Sequence, residues 1–364
     1  MKKSKFLFVL CCFAITGCNG GGESPSSPEV IKEDFEFISI VNEDYCTVRV
    51  KDLEGSDIVI PESHDGREVR IFEIIGETDY SQYKTLTLPK TVKKVVVSTN
   101  KPITTLNLDS INYLGDVNDW LDMDRSQATI AAFTNQMLLN GKTLTSVNID
   151  RDLSTHAFFN FKDLTSVTLG ENVHTIEAQA FAKTSIEELV IPNTVTTLKN
   201  YSLAYISSLE KLSLPLTAIP YYNDPNYDQI HSQLGFVLGT NGIVTTEDTI
   251  PKYLNFTNGK SFNGLMIRDQ FFFEHISFSN ELEEIPQGAF YQVSYLKDLT
   301  IPASVNKIAY GIVDRFNENL ENIFYLGTKT QWSSINKSPD WAGSTYSHCP
   351  VSVVHCSDGD VDIW

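Results

Sequence analysis

This 364-residue chain is short of basic residues. Lys and Arg number 28 against 46 Asp and Glu, which gives a formal net charge of −18. A surface that follows nucleic-acid phosphates needs a dense group of Lys and Arg, and the sequence has no such cluster. We therefore predict no nucleic-acid partner, and an acidity that favours solubility and disfavours nonspecific binding to anionic surfaces.

Sequence motifs of catalysis and metal binding are also missing. None of the seven His residues belongs to an H-E-x-x-H motif, and the chain has no G-x-S-x-G elbow, P-loop or G-x-G-x-x-G motif. The alternating carboxylates from Asp358 to Asp362 lack the loop length and closing Glu of a calcium-binding EF-hand. We predict a protein without catalytic residues, resident metal or cofactor, and therefore not an enzyme.

Long apolar runs are confined to the N-terminus, where one extends from Phe6 to Ile15 behind three Lys residues. A membrane-spanning helix needs about 20 apolar residues, so we predict that residues 1–17 are a secretory signal peptide. The segment Ile15-Thr-Gly-Cys18 resembles the lipobox of bacterial lipoproteins. This resemblance implies cleavage before Cys18 and attachment of the mature chain to a membrane through acyl chains on that residue. An ordinary signal peptide followed by an unrelated cysteine is the alternative.

Cysteine is scarce beyond this region. Only Cys46, Cys349 and Cys356 remain, in a compartment that permits disulfides. Cys349 and Cys356 lie seven residues apart and could form a disulfide, but the Cα separation that decides this is not encoded in the spacing. We expect Cys46 to pack as a small buried hydrophobic residue.

The dominant feature that is present is a repeat. Apolar residues recur at offsets 0, 3, 5, 9 and 12, followed by a small residue and Phe or Leu at offsets 16 and 17. Complete copies start at Leu164, Ile186 and Phe273. Partial copies start at Tyr83, Ile103, Leu144, Leu209, Pro251, Leu296 and Leu320. Seven of the nine gaps between starts span 20–24 residues, and gaps of 41 and 42 residues are expected to hold decorated turns. Such a period predicts a solenoid with a continuous core and capped ends.

Offsets 3 and 5 alternate as in a strand with one buried face, so offsets 2 and 4 should point outward. The outward positions include Tyr253, His275 and Asp298 at offset 2 and Phe324 at offset 4. Aromatic and hydrogen-bonding groups of this kind are enriched at binding hot spots, and we predict a ligand-binding surface there. The alternative is that the outward Ser and Thr residues merely cover the sheet. His156, at offset 12 of its copy, is expected to be a satisfied inward or rim histidine.

The repeats resemble the BspA-like class of leucine-rich repeats, with the pattern L-x-x-I-x-I-P-x-x-V-x-x-I-x-x-x-A-F. Leu296–Ile308 and Phe273–Phe290 match this pattern most closely. Tyr113-Leu-Gly is followed by Trp120, and Tyr325-Leu-Gly by Trp332, each Trp seven residues after the Tyr, as in the tryptophan-containing turns of that family. Both tryptophans could stack on sugars, but we expect them to fasten the loop to the repeat beneath.

The resemblance implies a repeat solenoid, a right-handed coil whose short strands form one parallel sheet. We predict a tether over residues 18–29, an N-terminal cap over 30–75, a leucine-rich repeat solenoid over 76–335 with insertions near 113–143 and 217–250, and a C-terminal cap over 336–364. The family also implies a surface-exposed outer-membrane lipoprotein of the cell envelope that binds extracellular or host-matrix proteins in adhesion. A carbohydrate-binding surface lipoprotein of a nutrient-capture system is the alternative, although it predicts exposed tryptophans on the outward ladder.

Overall fold

The structure is a computed structural model that describes residues 34–39, 41–76, 78–98, 106–125, 130–134, 136–219, 233–239, 251–264, 266–267, 273–344 and 347–364. The predicted signal peptide, Cys18, the tether and the repeat start at Ile103 lie outside these residues. Among the described residues, no helix has the length and apolar character needed to cross a membrane.

The N-terminal part contains two sheets. Its strands are β1 (Phe35–Ser39), β2 (Tyr45–Val50), β3 (Asp57–Val59), β4 (Ser63–His64), β5 (Arg67–Ile75), β6 (Thr85–Leu88), β7 (Lys94–Ser98), β8 (Ser110–Tyr113), β9 (Met137–Leu139) and β10 (Lys142–Thr143). One sheet has the order β1-β2-β5-β4, with β7 paired to β5, and the other has the order β10-β9-β8-β6-β3. Cys46, on β2, is buried as predicted.

A long, mainly parallel sheet forms the rest of the solenoid. The remaining strands are β11 (Ser146–Ile149), β12 (Ser166–Leu169), β13 (Thr175–Ile176), β14 (Glu188–Val190), β15 (Thr197–Leu198), β16 (Lys211–Leu214), β17 (Tyr253–Phe256), β18 (His275–Phe278), β19 (Glu284–Ile285), β20 (Asp298–Ile301), β21 (Lys307–Ile308), β22 (Asn322–Tyr325), β23 (Asn336–Lys337), β24 (Val353–Cys356) and β25 (Gly359–Asp362). The sheet has ten strands in the order β11-β12-β14-β16-β17-β18-β20-β22-β24-β25. Short parallel ladders β13-β15 and β19-β21-β23 pair successive turns a second time. The chain thus forms a solenoid of about ten turns.

Three short α-helices lie between strands: α1 (Val117–Leu121), α2 (Gln233–Leu238) and α3 (Lys329–Ser334). Residues Ile130–Phe133 and Leu216–Ala218 form 3-10 helices. Helices α1 and α3 begin with capping boxes in which the side chains of Asp116 and Thr328 accept from the third helical N–H. These caps satisfy backbone donors that a short helix leaves unpaired.

The inward columns of the repeat are confirmed. Leu189 pairs in register with Leu212, and the column continues through Leu254 and Ile276 to Leu299. All five are buried, so each turn covers the apolar face of the next. This stacking provides the burial that a single turn of about twenty residues cannot achieve alone.

The strand of the turn predicted to start at Ile103 lies five residues later than that start implies. The strand that pairs with β6 is β8, so Ile111 and Tyr113 occupy the inward positions and the turn begins at Leu108. A hairpin joins β9 to β10 through Asn140 and Gly141, both with positive φ, a conformation favoured in tight hairpin turns. Because this hairpin intervenes, the expected single sheet is divided into two sheets that share one hydrophobic core.

The 42-residue gap holds a decorated turn. β16 pairs directly with β17, so no described residue between them adds a strand to the sheet. Helix α2 instead lies on another side of the coil, where the Phe236 carbonyl accepts from the Tyr201 N–H at 2.6 Å and the Leu234 N–H donates to the Met266 carbonyl at 3.1 Å. The solenoid therefore continues past this insertion.

The turn that starts at Leu144 is shorter than predicted. Leu153 bridges to Ile176, so it occupies the inward position that had been assigned to His156. The small and large residues of this turn are Ala157 and Phe158 rather than Asn160 and Phe161, and the Phe158 ring stacks on Phe181 with centroids 5.8 Å apart. This turn has three residues fewer before its bend than the repeat pattern predicts. Every later position of the turn therefore lies three residues earlier in the sequence.

Candidate functional site

The predicted surface residues lie on adjacent strands of the long sheet. Tyr253 on β17, His275 on β18 and Asp298 on β20 are direct register partners. Parallel strands with the same register place equivalent side chains in a row. We call this row, at offset 2 of the repeat, the outer ladder.

Side-chain contacts connect the members of the outer ladder. The rings of Tyr253 and His275 stack with centroids 4.4 Å apart and planes 8° from parallel. His275 Nδ1 lies 2.7 Å from Asp298 Oδ2, and the Asn322 amide donates to Asp298 Oδ1 at 2.7 Å. Because each side chain is held by its neighbour, the group offers an ordered surface although 42% of Tyr253 is exposed.

The outer ladder continues toward the N-terminal turns as an ion pair. Lys211, the register partner of Tyr253, lies 3.7 Å from Glu188 across the next strand pair. A shallow depression of about 240 Å³ lies along this part of the sheet, with Lys211, Tyr253, Asn255 and His275 in its lining. The ladder therefore presents acidic, basic, aromatic and imidazole groups in order.

A row of charges borders the ladder. Glu274 accepts a hydrogen bond from Lys297 Nζ at 2.6 Å and lies 3.6 Å from Lys252 Nζ. The hydrogen bond from Lys297 is the main reason that the pKa of Glu274 is lowered. This row holds alternating charges beside His275.

Phe324 does not join the group around His275. It lies at offset 4, where its register partners are Thr300 on one side and His355 on the other. Its ring centroid is 5.5 Å from that of His355, whose Nδ1 lies 2.8 Å from Asp360 Oδ1. The sequence interpretation missed His355 because β24 does not follow the repeat spacing. The repeat pattern gives no signal for this position.

The two tryptophans of the matched turns are structural. Trp120 is buried, and its Nε1 donates to the Ala157 carbonyl of the next turn at 2.6 Å. Trp332 is also buried, with its ring 5.1 Å from Tyr325 and 5.4 Å from Trp341. Neither ring is available as a sugar platform on the outer ladder.

The remaining candidate residues, His156, Cys349 and Cys356, make contacts within the fold. His156 is half-buried, and its Nε2 lies 2.5 Å from Gln179 Oε1; burial is the main reason that its pKa is lowered. Cys349 and Cys356 are unpaired in the structure, and the Cys349 thiol donates to the Val351 carbonyl. Within the described part of the chain, no three His, Cys, Asp or Glu residues are arranged to hold a metal.

Comparison with known proteins supports the repeat assignment. The family model for the BspA type leucine-rich repeat region matches six copies over residues 132–225 and 247–337, half of the chain. Comparison with curated proteins gave no match.

Solved structures show looser similarity. A leucine-rich cell surface protein of Faecalibacterium prausnitzii is 18% identical, with a TM-score of 0.32 over 85% of this chain and 98% of that one. A leucine-rich repeat protein of Bacteroides ovatus is 15% identical, with a TM-score of 0.35 over 84% and 66%. The pneumococcal vaccine antigen PcpA is 15% identical, with a TM-score of 0.27 over 84% and 88%.

The assignment rests on the repeat match together with the stacked columns, and it supports a repeat-based interaction role or a surface role. This chain belongs to the BspA-type leucine-rich repeat family.

Proposed function

We propose that this protein is a non-catalytic cell-surface lipoprotein that binds an extracellular protein, such as a host-matrix protein, through the C-terminal half of the outer ladder. The observation that supports this most directly is the contact series Tyr253, His275 and Asp298. It combines an exposed aromatic ring, a stacked imidazole and a carboxylate on one rigid sheet. Side chains ordered before binding lose less conformational entropy when a partner docks.

Phe324 and His355 form a second aromatic pair on the same sheet, centred one strand beyond Asp298. Protein interfaces draw most of their binding energy from a few such anchors, surrounded by polar groups. The charged row of Glu274 and Lys297 would supply the polar rim. We propose that the partner spans both aromatic pairs.

The proposed location depends on the N-terminus. Export through residues 1–17, acylation of Cys18 and a tether over residues 18–29 would hold the solenoid outside an outer membrane. Cys18→Ala should abolish incorporation of a labelled fatty acid in the producing bacterium. Protease treatment of intact cells should remove the wild-type protein, and a protein that resists such treatment would contradict surface exposure.

The binding proposal is tested with a panel of immobilised matrix proteins. The Tyr253→Ala/His275→Ala double variant should weaken binding to the partner by at least about tenfold, since truncation of a hot-spot residue costs about 2 kcal/mol or more. Ser146→Ala/Ser166→Ala, at the same offset in the N-terminal turns, is the matched control and should bind as the wild type does. Unchanged binding of the double variant to every partner would overturn the site. A different outcome is that the protein binds neutral glycans and none of the immobilised proteins. If the same double variant abolishes that binding, the carbohydrate-capture alternative on this surface would be favoured.

A further inference from the structure

A second cleft lies away from the outer ladder and shares no residue with it. It has a volume of about 580 Å³ and is formed by successive C-terminal turns of the coil. Pockets that enclose small ligands typically have volumes of roughly 300–1,000 Å³. The cleft is therefore large enough for a molecule of two or three sugar rings.

The cleft exists because two turns lack a side chain at one position of the repeat. The residue before the small-large pair has a left-handed backbone, with φ of 59° at His156, 56° at Gln179 and 60° at Tyr201. In the later turns this position is Gly288, with φ of 63°, and Gly311, with φ of 56°. The side chains of His156 and Gln179 meet at this edge of the coil, whereas the two glycines leave it open.

Aromatic and carboxylate groups stand around this opening. Tyr310 is 47% exposed, and Tyr291 packs edge-on against Phe316 with centroids 5.6 Å apart. The half-buried Asp314 accepts from the Phe316 N–H at 3.0 Å, while its own N–H donates to Asn317 Oδ1 at 2.9 Å. Asn317 is fully buried, so the backbone of Asp314 is fixed to the core, and the Phe316 N–H orients its carboxylate.

The chemistry of the lining selects a class of ligand. Asn263, Gln287, Ser344 and Ser347 contribute amides and hydroxyls, and no Lys, Arg or His is among the described residues that line the cleft. Among the described lining residues Asp314 is the only charged group, and it would repel an anionic ligand. A neutral ligand with many hydroxyls can both donate to the carboxylate and accept from the amides, while an aromatic ring accommodates its apolar face.

We propose that this cleft is a binding site for a neutral oligosaccharide of two or three rings, with one sugar face against Tyr310 and hydroxyls on Asp314 and Gln287. The site is separate from the proposed protein-binding ladder. One molecule could therefore hold a glycan and a protein at the same time.

The test uses an array of neutral oligosaccharides, followed by calorimetric titration of the strongest binder with the full chain. Tyr310→Ala should weaken binding at least tenfold by removing the aromatic platform. Gly311→Gln should weaken it similarly, because it restores at this position the side chain that Gln179 carries with the same φ. A Cβ at Gly311 meets no atom within 4 Å, so the variant carries only the strain of a side chain at positive φ, which Gln179 carries at the same φ. Its thermal midpoint would verify that it folds.

Tyr205→Ala is the matched control, since Tyr205 is an exposed tyrosine that does not line the cleft. It should retain wild-type affinity, as should the Tyr253→Ala/His275→Ala ladder variant. The proposal is overturned if no neutral oligosaccharide binds, or if the Tyr310 and Gly311 variants bind as tightly as the wild type. Loss of glycan binding only in the ladder variant would likewise exclude the cleft and assign the sugar to the ladder.

Discussion

Asn160 and Asn317 make the same pair of buried hydrogen bonds at distant turns of the solenoid. The Asn160 amide donates to the carbonyls of Ala131 and Thr134 at 2.7 and 2.9 Å. The Asn317 amide donates to those of Phe290 and Val293 at 2.9 and 3.1 Å. Each Asn thus donates to two carbonyls of the preceding turn and connects one coil to the next.

Asn317→Ala should lower the free energy of unfolding by about 1–3 kcal/mol, because it removes two buried hydrogen bonds that each contribute about 0.5–1.5 kcal/mol. Asn319→Ala is the control, since Asn319 is exposed and makes one hydrogen bond to Ser294. Urea unfolding followed by circular dichroism measures both. Equal midpoints for the two variants would show that the inter-turn bonds contribute little.

Phe290→Ala should destabilise the protein by about 3–5 kcal/mol through the cavity left in the core. The ring is fully buried between Phe262 and Phe278. Asn255→Ala, on the outward side of β17, should cost about 1 kcal/mol or less, since it removes only the hydrogen bond that Asn255 accepts from Ser277. Similar losses from both substitutions would contradict the assignment of inward and outward columns.

Glu274 should contribute to stability in a pH-dependent way. Its pKa is lowered, mainly by the hydrogen bond from Lys297, so the folded protein favours the carboxylate more than the unfolded chain does. This stabilisation is present above the ordinary glutamate pKa of about 4.3 and is lost as the pH falls through the lower folded value. Glu274→Gln should cost up to about 1 kcal/mol at pH 7 and nothing at about pH 2. Thermal midpoints at the two pH values test this, and an equal cost at both would contradict it.

His156 should produce an acid response of the same sign as Glu274, at higher pH. Burial lowers its pKa, so the unfolded chain takes up a proton first as the pH falls. Stability is therefore intact above the ordinary histidine pKa of about 6.5 and declines below it. His156→Gln should reduce the fall in thermal midpoint between pH 7.5 and 5, whereas His174→Gln, at an exposed histidine, should keep the wild-type response. A fall of the same size in the His156 variant would show that this histidine is not responsible.

The three described cysteines should all react as thiols. Cys46, Cys349 and Cys356 are free, and burial raises the pKa of each, which slows alkylation in the folded protein. Iodoacetamide should modify all three in denaturant without reductant, as measured by mass spectrometry of the purified protein. A disulfide-linked peptide containing Cys349 and Cys356 would contradict the unpaired arrangement.

The inward columns could be predicted from the sequence because burial requires an apolar residue at each inward position of the repeat. Leu189, Leu212 and Leu299 recur at a fixed offset because each must cover the turn before it. The structural role of Trp120 and Trp332 could also be predicted, since each follows the same Tyr-Leu-Gly turn. The ligand that the surface residues bind could not be predicted. Outward positions have no packing requirement that would constrain which amino acids occupy them.

The chain alone therefore determined the period, the solenoid and the row in which Tyr253, His275 and Asp298 stand, because these follow from alternation along a single strand. Only the tertiary structure decided that Tyr253 stacks on His275, that Phe324 lies apart with His355, and that His156 is not in the inward column. It also decided that the glycines at 288 and 311 open a cleft. Those outcomes depend on how adjacent turns align, and alignment is set by contacts between residues more than twenty positions apart.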